Sequence, residues 1–187
     1  MSSIEINNTI KTLKKGGVIV YPTDTVWGIG CDATNYNAVQ KIFKIKKRNK
    51  SKAMICLVND INMLKQYVEY IPDAAEDILK YSQKPTTIIY EKPKHIAENL
   101  ISEENTLAFR IVKNKFCQNL IQTLNKPIVS TSANTSGKPT PITFKEIEKE
   151  ILKGVDYVVN LNRNRKTLTP SSIIKLSNNG KVKVVRP

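Results

Sequence analysis

Hydrophobic positions recur along the chain in two alternating spacings. Spacings of three to four residues, typical of amphipathic helices, occur over 4–15, around Val39, Ile42 and Phe43, in one or two segments of 60–83, and over 114–125 and 143–153. Short runs rich in β-branched residues, typical of strands, occupy 18–21, 54–58, 86–90, 107–112, 127–131, 155–160, 172–176 and 181–186. Pro22 ends the first of these runs, PTDT at 22–25 predicts a turn, and Asn178-Asn179-Gly180 predicts a terminal hairpin.

The order of these elements predicts the fold class. Alternating helices and strands with a strand-rich end favour an α/β protein with helices packed on a mixed, largely parallel sheet. The 187 residues contain no repeat, linker or break in composition, so we expect a single domain over 1–187. Hydrophobic residues make up 40% and charged residues 25%, which is the range of globular proteins.

Cysteine and histidine usage excludes several kinds of chemistry. Cys31, Cys56 and Cys117 are far apart and form no CxxC pair, so neither a disulfide framework nor a zinc site is predicted. The single histidine, His95, lies in a polar stretch and is expected at the surface, which gives little support to a histidine base. The apolar residues of the N-terminal segment are too sparse for a signal peptide or membrane span, so we expect a cytoplasmic protein without a membrane partner.

The net charge suggests anionic partners without choosing among them. Thirty Lys and Arg residues against 16 Asp and Glu residues leave a formal charge of +14. Such an excess attracts nucleotides, RNA or acidic membrane surfaces through long-range electrostatics. A solvated shell of lysines that keeps the protein soluble explains the same charge equally well.

The basic stretch KIFKIKKRNKSK at 41–52 lies at and beyond a predicted helix end. Cations there complement the helix dipole, which is one sufficient explanation. The alternative is that Lys46 and Arg48 neutralise the polyphosphate of a nucleotide. Residues i and i+2 of a helix project about 200° apart, so both side chains reach one target only if the helix ends near Lys46. The turn-forming residues that follow Arg48 agree with such an end.

The stretch IVSTSANTSGKPTP at 128–141 joins a strand to a cluster of small polar residues. A cluster of this composition is often only a loop. Loops at the carboxyl ends of strands are also where α/β sheets bind ligands, and Ser130, Ser132, Asn134 and Thr140 offer hydroxyl and amide groups to an anion. Neither GxxxxGK[ST] nor GxGxxG is present. These residues by themselves indicate a basic α/β protein with an anion pocket.

Five segments, in order along the chain, resemble the YrdC-like family. They are YPTDTVWGIGCDA at 21–33, KIFKIKKR at 41–48, LAFRI at 107–111, PIVSTSANTSG at 127–137 and the terminal VVRP. The resemblance implies a twisted α/β fold with a large basic concave face. It also implies an enzyme that makes L-threonylcarbamoyl-adenylate and pyrophosphate from L-threonine, bicarbonate or CO₂, and ATP, for threonylcarbamoylation of adenosine 37 in tRNA by a downstream transferase complex.

The resemblance also implies roles for individual residues. Threonine would be held by Thr25, Arg110, Ser130 and Ser171. ATP would be held by Lys46, Arg48, Lys52, Thr106, Ser132, Asn134, Thr140 and Arg186. Of these, Lys46, Arg48 and Ser132 would position the reactants and stabilise charge, and Mg²⁺ would bridge the phosphates without a protein side chain as ligand.

Some positions depart from the family pattern. The family's WPGPLT segment is replaced by Gln83–Thr87, and Lys52 and Leu57 stand where the family often has Asn and His. Pro170 precedes Ser171 and Ser172 in place of a Glu-Ser-Thr segment. These departures leave part of the pocket wall undefined by the resemblance.

Three rival functions remain at the level of sequence. The first is a non-catalytic protein of the same fold that binds double-stranded RNA or tRNA, although an aromatic content of 6% gives little for single-strand stacking. The second is a paralogue that has lost synthesis, against which the intact KKR and SAN motifs argue. The third is carbamoyl transfer in hydrogenase maturation, which would be expected to bring further domains.

Overall fold

The structure, a computed structural model, describes residues 2–49, 54–164, 166 and 170–187. Its α-helices are α1 (Ser2–Lys14), α2 (Tyr36–Ile45), α3 (Ile61–Tyr67), α4 (Asp73–Tyr81), α5 (Lys115–Leu124) and α6 (Lys149–Gly154). Its strands are β1 (Ile19–Pro22), β2 (Trp27–Gly30), β3 (Ile55–Val58), β4 (Thr86–Glu91), β5 (Thr106–Ile111), β6 (Ile128–Ser132), β7 (Tyr157–Val158), β8 (Ser172–Leu176) and β9 (Val182–Arg186). Short 3₁₀ turns occupy Glu98–Leu100 and Phe144–Glu146.

The strands form one mixed sheet in the order β7-β1-β2-β6-β3-β5-β4-β8-β9. The predicted α/β class, with helices packed on a mixed sheet, is confirmed. The parallel share is smaller than expected, because within the described residues three neighbouring pairs are parallel and five are antiparallel. Part of the difference comes from β2, which the sequence pattern did not predict. The loop from Pro22 to Trp27 is too short for a crossover, so β2 returns antiparallel beside β1.

Several predicted boundaries shift in the structure. Pro22 is the last residue of β1, paired with Trp27, and does not lie beyond the strand. The predicted helix over 143–153 is a 3₁₀ turn followed by α6, and the predicted strand over 155–160 contracts to β7. The one or two helical segments expected within 60–83 are two helices, α3 and α4, with Pro72 in the gap between them. The terminal hairpin is confirmed too, with Gly180 in the left-handed region at φ 82°.

One row of residues crosses five strands of the sheet. Ser130 of β6 is the register partner of Ile55, Ile55 of Ala108, Ala108 of Ile89, and Ile89 of Lys175. Register partners project from the same face of a sheet, so these five side chains share one surface. We call them the floor row, because two large cavities lined by described residues lie along it.

Helices fix the sheet in place through buried apolar contacts. Helices α1 and α5 pack against each other, α1 also contacts β1, and α5 contacts β3. Asn114 caps α5 by accepting the N–H of Cys117, and Asn125 ends the helix in the left-handed conformation that asparagine tolerates. No helix in the described ranges combines the length and the apolar character needed to cross a membrane.

The end of α2 determines where the basic stretch points. The helix begins after the cap residue Asn35, whose side chain accepts the N–H of Ala38. It ends at Lys46, after which Lys47 adopts φ 49° and the N–H of Arg48 donates to Phe43 O at 2.9 Å. This is the left-handed, six-to-one closure common at helix ends. The helix therefore ends where the sequence required it to end if Lys46 and Arg48 serve one site.

Replacement of Lys47 by glycine is expected to stabilise the protein by about 1 kcal/mol, because a residue with a Cβ is strained in the left-handed region and glycine is not. Urea unfolding measures the change. The matched control is Lys44→Gly, in the last helical turn, which should destabilise by about 1 kcal/mol through lost helix propensity. Equal destabilisation by both variants would contradict the assignment.

Candidate anion-binding site

A cavity of about 410 Å³, which we call the main cavity, lies on the floor row. The β1–β2 loop, the segment after α2, the β6 end and the β9 end form its walls. Eight of the predicted site residues line it: Thr25, Arg48, Arg110, Ser130, Ser132, Thr140, Ser171 and Arg186. Segments more than 150 residues apart in sequence therefore converge on one space, as the resemblance implied.

The other predicted residues lie elsewhere. Lys46 is fully buried behind the cavity wall. Asn134 lines a separate cavity of about 200 Å³ that also contacts Thr140. Thr106 lines a cavity of about 580 Å³, which we call the second cavity. Lys52 lies outside the described residues.

The main and second cavities share a wall formed by Met54 and Ile89. The second cavity adds the apolar side chains of Phe43 and Leu100 together with Thr106. The two cavities thus adjoin, with three arginines lining the main one and three glutamates and a lysine among the residues lining the second.

Three guanidinium groups make the main cavity electropositive. Arg48, Arg110 and Arg186 line it, and none of its described lining residues is an aspartate or glutamate. Burial lowers the pKa of Arg48 and of Arg186, and the charge of Arg110 lowers that of Arg186 further. Arginine stays protonated under such shifts, so the three charges persist and favour a bound anion.

Arg110 is held by an acidic residue that sequence reasoning missed. Its Nη2 donates to Asp24 Oδ1 at 2.9 Å, and the two side chains are 3% and 11% exposed. Asp24 Oδ2 also accepts the N–H of Lys113 at 3.3 Å. A signal was present in the sequence: the arginine inside the apolar strand LAFRI requires a buried partner, and PTDT supplies a carboxylate.

One donor of Arg110 has no protein partner. Its Nε is buried and unpaired within the described part of the chain. A buried donor without a partner costs free energy, so this atom is the part of the guanidinium group that the described residues leave unsatisfied. Asp24 pairs with the other side of the group, and Arg110 as a whole lines the main cavity.

Hydroxyl groups around the cavity are braced by neighbours. The hydroxyl of Thr23 donates to Val26 O at 2.7 Å and accepts the N–H of Thr25 at 3.1 Å, which makes the PTDT turn rigid. Ser171, almost fully buried, shares a 2.7 Å hydrogen bond with Thr87, and its carbonyl accepts Arg186 Nε at 2.9 Å. Ser171 therefore orients Arg186 as well as lining the cavity itself.

The SAN loop, residues 132–138, is held by its own side chains and by α6. Ser132 Oγ donates to Asn134 Oδ1 at 2.5 Å, and Asn134 Nδ2 donates to Lys138 O at 2.5 Å. Glu148 accepts the N–H of Thr135 at 2.7 Å and pairs with Lys138 Nζ at 2.5 Å. The Lys138 hydrogen bond, followed by that of Thr135, lowers the pKa of Glu148 to about 2. Glu148 is therefore ionised at neutral pH, which is the form that accepts these hydrogen bonds.

Fold and site together define a mixed-sheet α/β protein with an arginine-lined cavity on one face of its sheet. The family model Sua5_yciO_yrdC, described as Telomere recombination, matches residues 11–187. The chain belongs to this family, and the resemblance to YrdC-like proteins is confirmed.

Relatives of known name and structure agree with this membership. The threonylcarbamoyl-AMP synthase of Pseudoalteromonas translucida is 36% identical over 180 residues, which cover 92% of this chain and 93% of the relative. E. coli YciO aligns with a TM-score of 0.84 and 27% identity over 100% of this chain and 89% of that one. P. abyssi Sua5 complexed with L-threonine aligns with a TM-score of 0.81 and 26% identity over 91% of this chain. This chain spans 50% of that longer protein.

Proposed function

We propose that this protein is a nucleotidyltransferase that makes L-threonylcarbamoyl-adenylate from L-threonine, bicarbonate and ATP. The observation that carries the proposal is the convergence of three guanidinium groups and several hydroxyls in a cavity of about 410 Å³ that adjoins a second cavity. The 36% identity to a protein named threonylcarbamoyl-AMP synthase supports this reaction among those that the cavity would allow.

The two-part recess suggests how the substrates are placed. The triphosphate lies in the main cavity against Arg48, Ser132, Thr140 and Arg186, and the nucleoside extends toward Thr106 in the second cavity. Guanidinium groups bind phosphate oxygens through paired hydrogen bonds, and the wall of Met54 and Ile89 between the two cavities offers a purine an apolar contact.

Threonine is placed at the other side of the main cavity. Its carboxylate binds Arg110, whose Nε lacks a protein partner and whose charge is only partly offset by Asp24. Thr25, Ser130 and Ser171 surround this position with hydroxyl groups. Ser130 belongs to the floor row, so the amino acid rests on the sheet itself.

The reaction then requires the protein to position threonine, CO₂ and ATP, and it does not require a nucleophilic side chain. The amine of threonine and CO₂, formed from bicarbonate with loss of water, give a carbamate. A carbamate oxygen attacks the α-phosphorus of ATP, and pyrophosphate leaves with the electron pair of the broken P–O bond. Arg48 and Arg186 stabilise charge that develops on the phosphates, and Ser132 joins them when its hydroxyl proton turns from Asn134 Oδ1 to a phosphate oxygen. The recess limits hydrolysis of the labile product.

Mg²⁺ fits this site as a companion of the triphosphate. The described residues contain no cluster of three or more His, Cys, Asp or Glu side chains able to hold a metal ion. The main cavity offers guanidinium and hydroxyl groups, so the ion's ligands would be phosphate oxygens and water, where it would neutralise charge. The product would serve N6-threonylcarbamoyladenosine formation at position 37 of cytoplasmic tRNA through a separate transferase.

Pyrophosphate release is expected to require ATP, threonine and bicarbonate together, because the carbamate is the nucleophile. The assay measures pyrophosphate and the adenylate product while each substrate is omitted in turn, with Arg48→Ala as a control for contaminating ATPases. ATP turnover without threonine would overturn the proposal. Absence of turnover beside tight binding of double-stranded RNA or tRNA would favour the non-catalytic alternative.

A further inference from the structure

Lys46 of the KKR motif differs from Arg48 in its surroundings. Arg48 lines the main cavity, whereas the Lys46 side chain is 0% exposed and does not line it. We propose that Lys46 is a positioning residue that holds the SAN loop from behind, so that Ser132 faces the nucleotide, and that it does not contact the phosphates itself. The role of the nucleotide in this inference rests on the proposed function; the loop-holding role does not.

The hydrogen bonds of Lys46 carry the inference. Its Nζ donates to Ser132 O, to Asn134 O at 2.6 Å and to Asn134 Oδ1 at 3.3 Å. A lysine ammonium has three donors, and these three acceptors use all of them. No proton of Lys46 is left for a phosphate oxygen unless the loop is released.

The backbone adds a second link between the same two segments. Ser136 N–H donates to Lys46 O at 2.8 Å. The end of α2 is itself fixed by its left-handed closure, so the loop is tied at two points to a rigid helix terminus. Ser132 is held through its carbonyl on one side while its side chain lines the cavity on the other. Displacement of Lys46 would therefore move a cavity residue without removing it.

The charges around Lys46 predict how its hydrogen bonds to the SAN loop change with pH. Burial, and then the charge of Arg48, lowers the pKa of Lys46 to about 7, while Glu148 acts in the opposite direction. Glu148 is itself paired with Lys138. A neutral amine has two protons for three acceptors, so one loop carbonyl loses its donor as the pH rises above about 7. The loop is expected to be held most tightly when Lys46 is protonated.

Hydrogen exchange of the ligand-free protein tests the inference. Lys46→Met keeps the side-chain length and removes the charge, and should speed amide exchange over 134–136 by about 10-fold or more. Arg48→Met, two residues away, should leave that exchange within about 2-fold while weakening ATP binding. Calorimetry with ATP is run on both variants.

The outcomes distinguish a Lys46 that holds the SAN loop from a Lys46 that contacts the phosphates directly. If amide exchange is unchanged in Lys46→Met while ATP binding weakens, Lys46 contacts the phosphates directly and the proposal is overturned. If neither exchange nor ATP binding changes, Lys46 does not hold the loop and the proposal is overturned as well. If Lys46→Met does not fold, the wild-type protein still decides: exchange at Asn134, corrected for its intrinsic pH dependence, should be faster at about pH 9 than at about pH 6. Equal corrected rates would overturn the proposal. These measurements need no turnover, so loss of the proposed function would be seen separately.

Discussion

Replacement of Arg48 by alanine is expected to lower the rate of threonylcarbamoyl-adenylate formation by about 100-fold or more. Arg48 lines the main cavity, and its burial means that water replaces its charge poorly. Removing one preorganised donor to developing charge typically costs about 100- to 1000-fold in turnover. Steady-state pyrophosphate release at saturating threonine and bicarbonate measures the loss.

Lys44→Ala provides the matched control for Arg48. Lys44 lies four residues earlier on the exposed side of α2 and lines neither large cavity. Its loss changes the net charge by the same unit and should leave turnover within about 2-fold, because exposed charges are screened. Equal losses in the two variants would show that total charge matters and that the position of Arg48 does not.

Replacement of Asp24 by alanine is expected to lower the free energy of unfolding by about 3–5 kcal/mol. The Asp24–Arg110 pair is almost completely buried, and removing one partner leaves the other charge uncompensated. Urea unfolding at neutral pH measures the change. Threonine binding to the folded fraction should weaken as well, since Arg110 loses the acceptor that fixes its Nη2 group.

An exposed ion pair provides the control for the stability loss expected of Asp24→Ala. Glu69 and Lys92 are 3.2 Å apart with more than half of each side chain exposed, so Glu69→Ala should cost less than about 1 kcal/mol. Adding Arg110→Met to Asp24→Ala should recover part of the lost stability, because the unpaired buried charge is gone. A cost for Asp24→Ala no greater than that for Glu69→Ala would refute the buried-pair interpretation.

The elements that the sequence predicted well depend on short stretches of chain. Asn35 caps α2, the residues after Lys46 end it, and Asn178-Asn179-Gly180 makes the terminal hairpin, all through contacts within about six residues. Strand β2 was missed for a local reason as well: two of its four residues are glycine, which strand propensities disfavour. Gly30 is nevertheless required there, since a Cβ would lie 2.2 Å from Val129 O.

The candidate site could be predicted as a set of residues but not as a geometry. The motifs named eight residues that the structure places around the main cavity, and their binding roles stay predictions. The motifs treated Lys46 and Arg48 alike. In the structure Lys47 adopts a left-handed conformation, Lys46 lies buried behind the SAN loop, and Arg48 lines the main cavity. The motifs also did not reveal Asp24, because its partner lies 86 residues away in sequence.

Sequence alone determined the α/β class, the strong positive charge and the residues from which an anion site could be made. Tertiary structure decided that Ser130, Ile55, Ala108 and Ile89 form one continuous floor, because strand register depends on pairings between segments far apart in the chain. It likewise decided that Arg48 lines the main cavity while the ammonium group of Lys46 donates its hydrogen bonds to the SAN loop. Hydrogen bonding capacity is finite, and only the folded neighbours of a lysine or arginine determine how much of it remains.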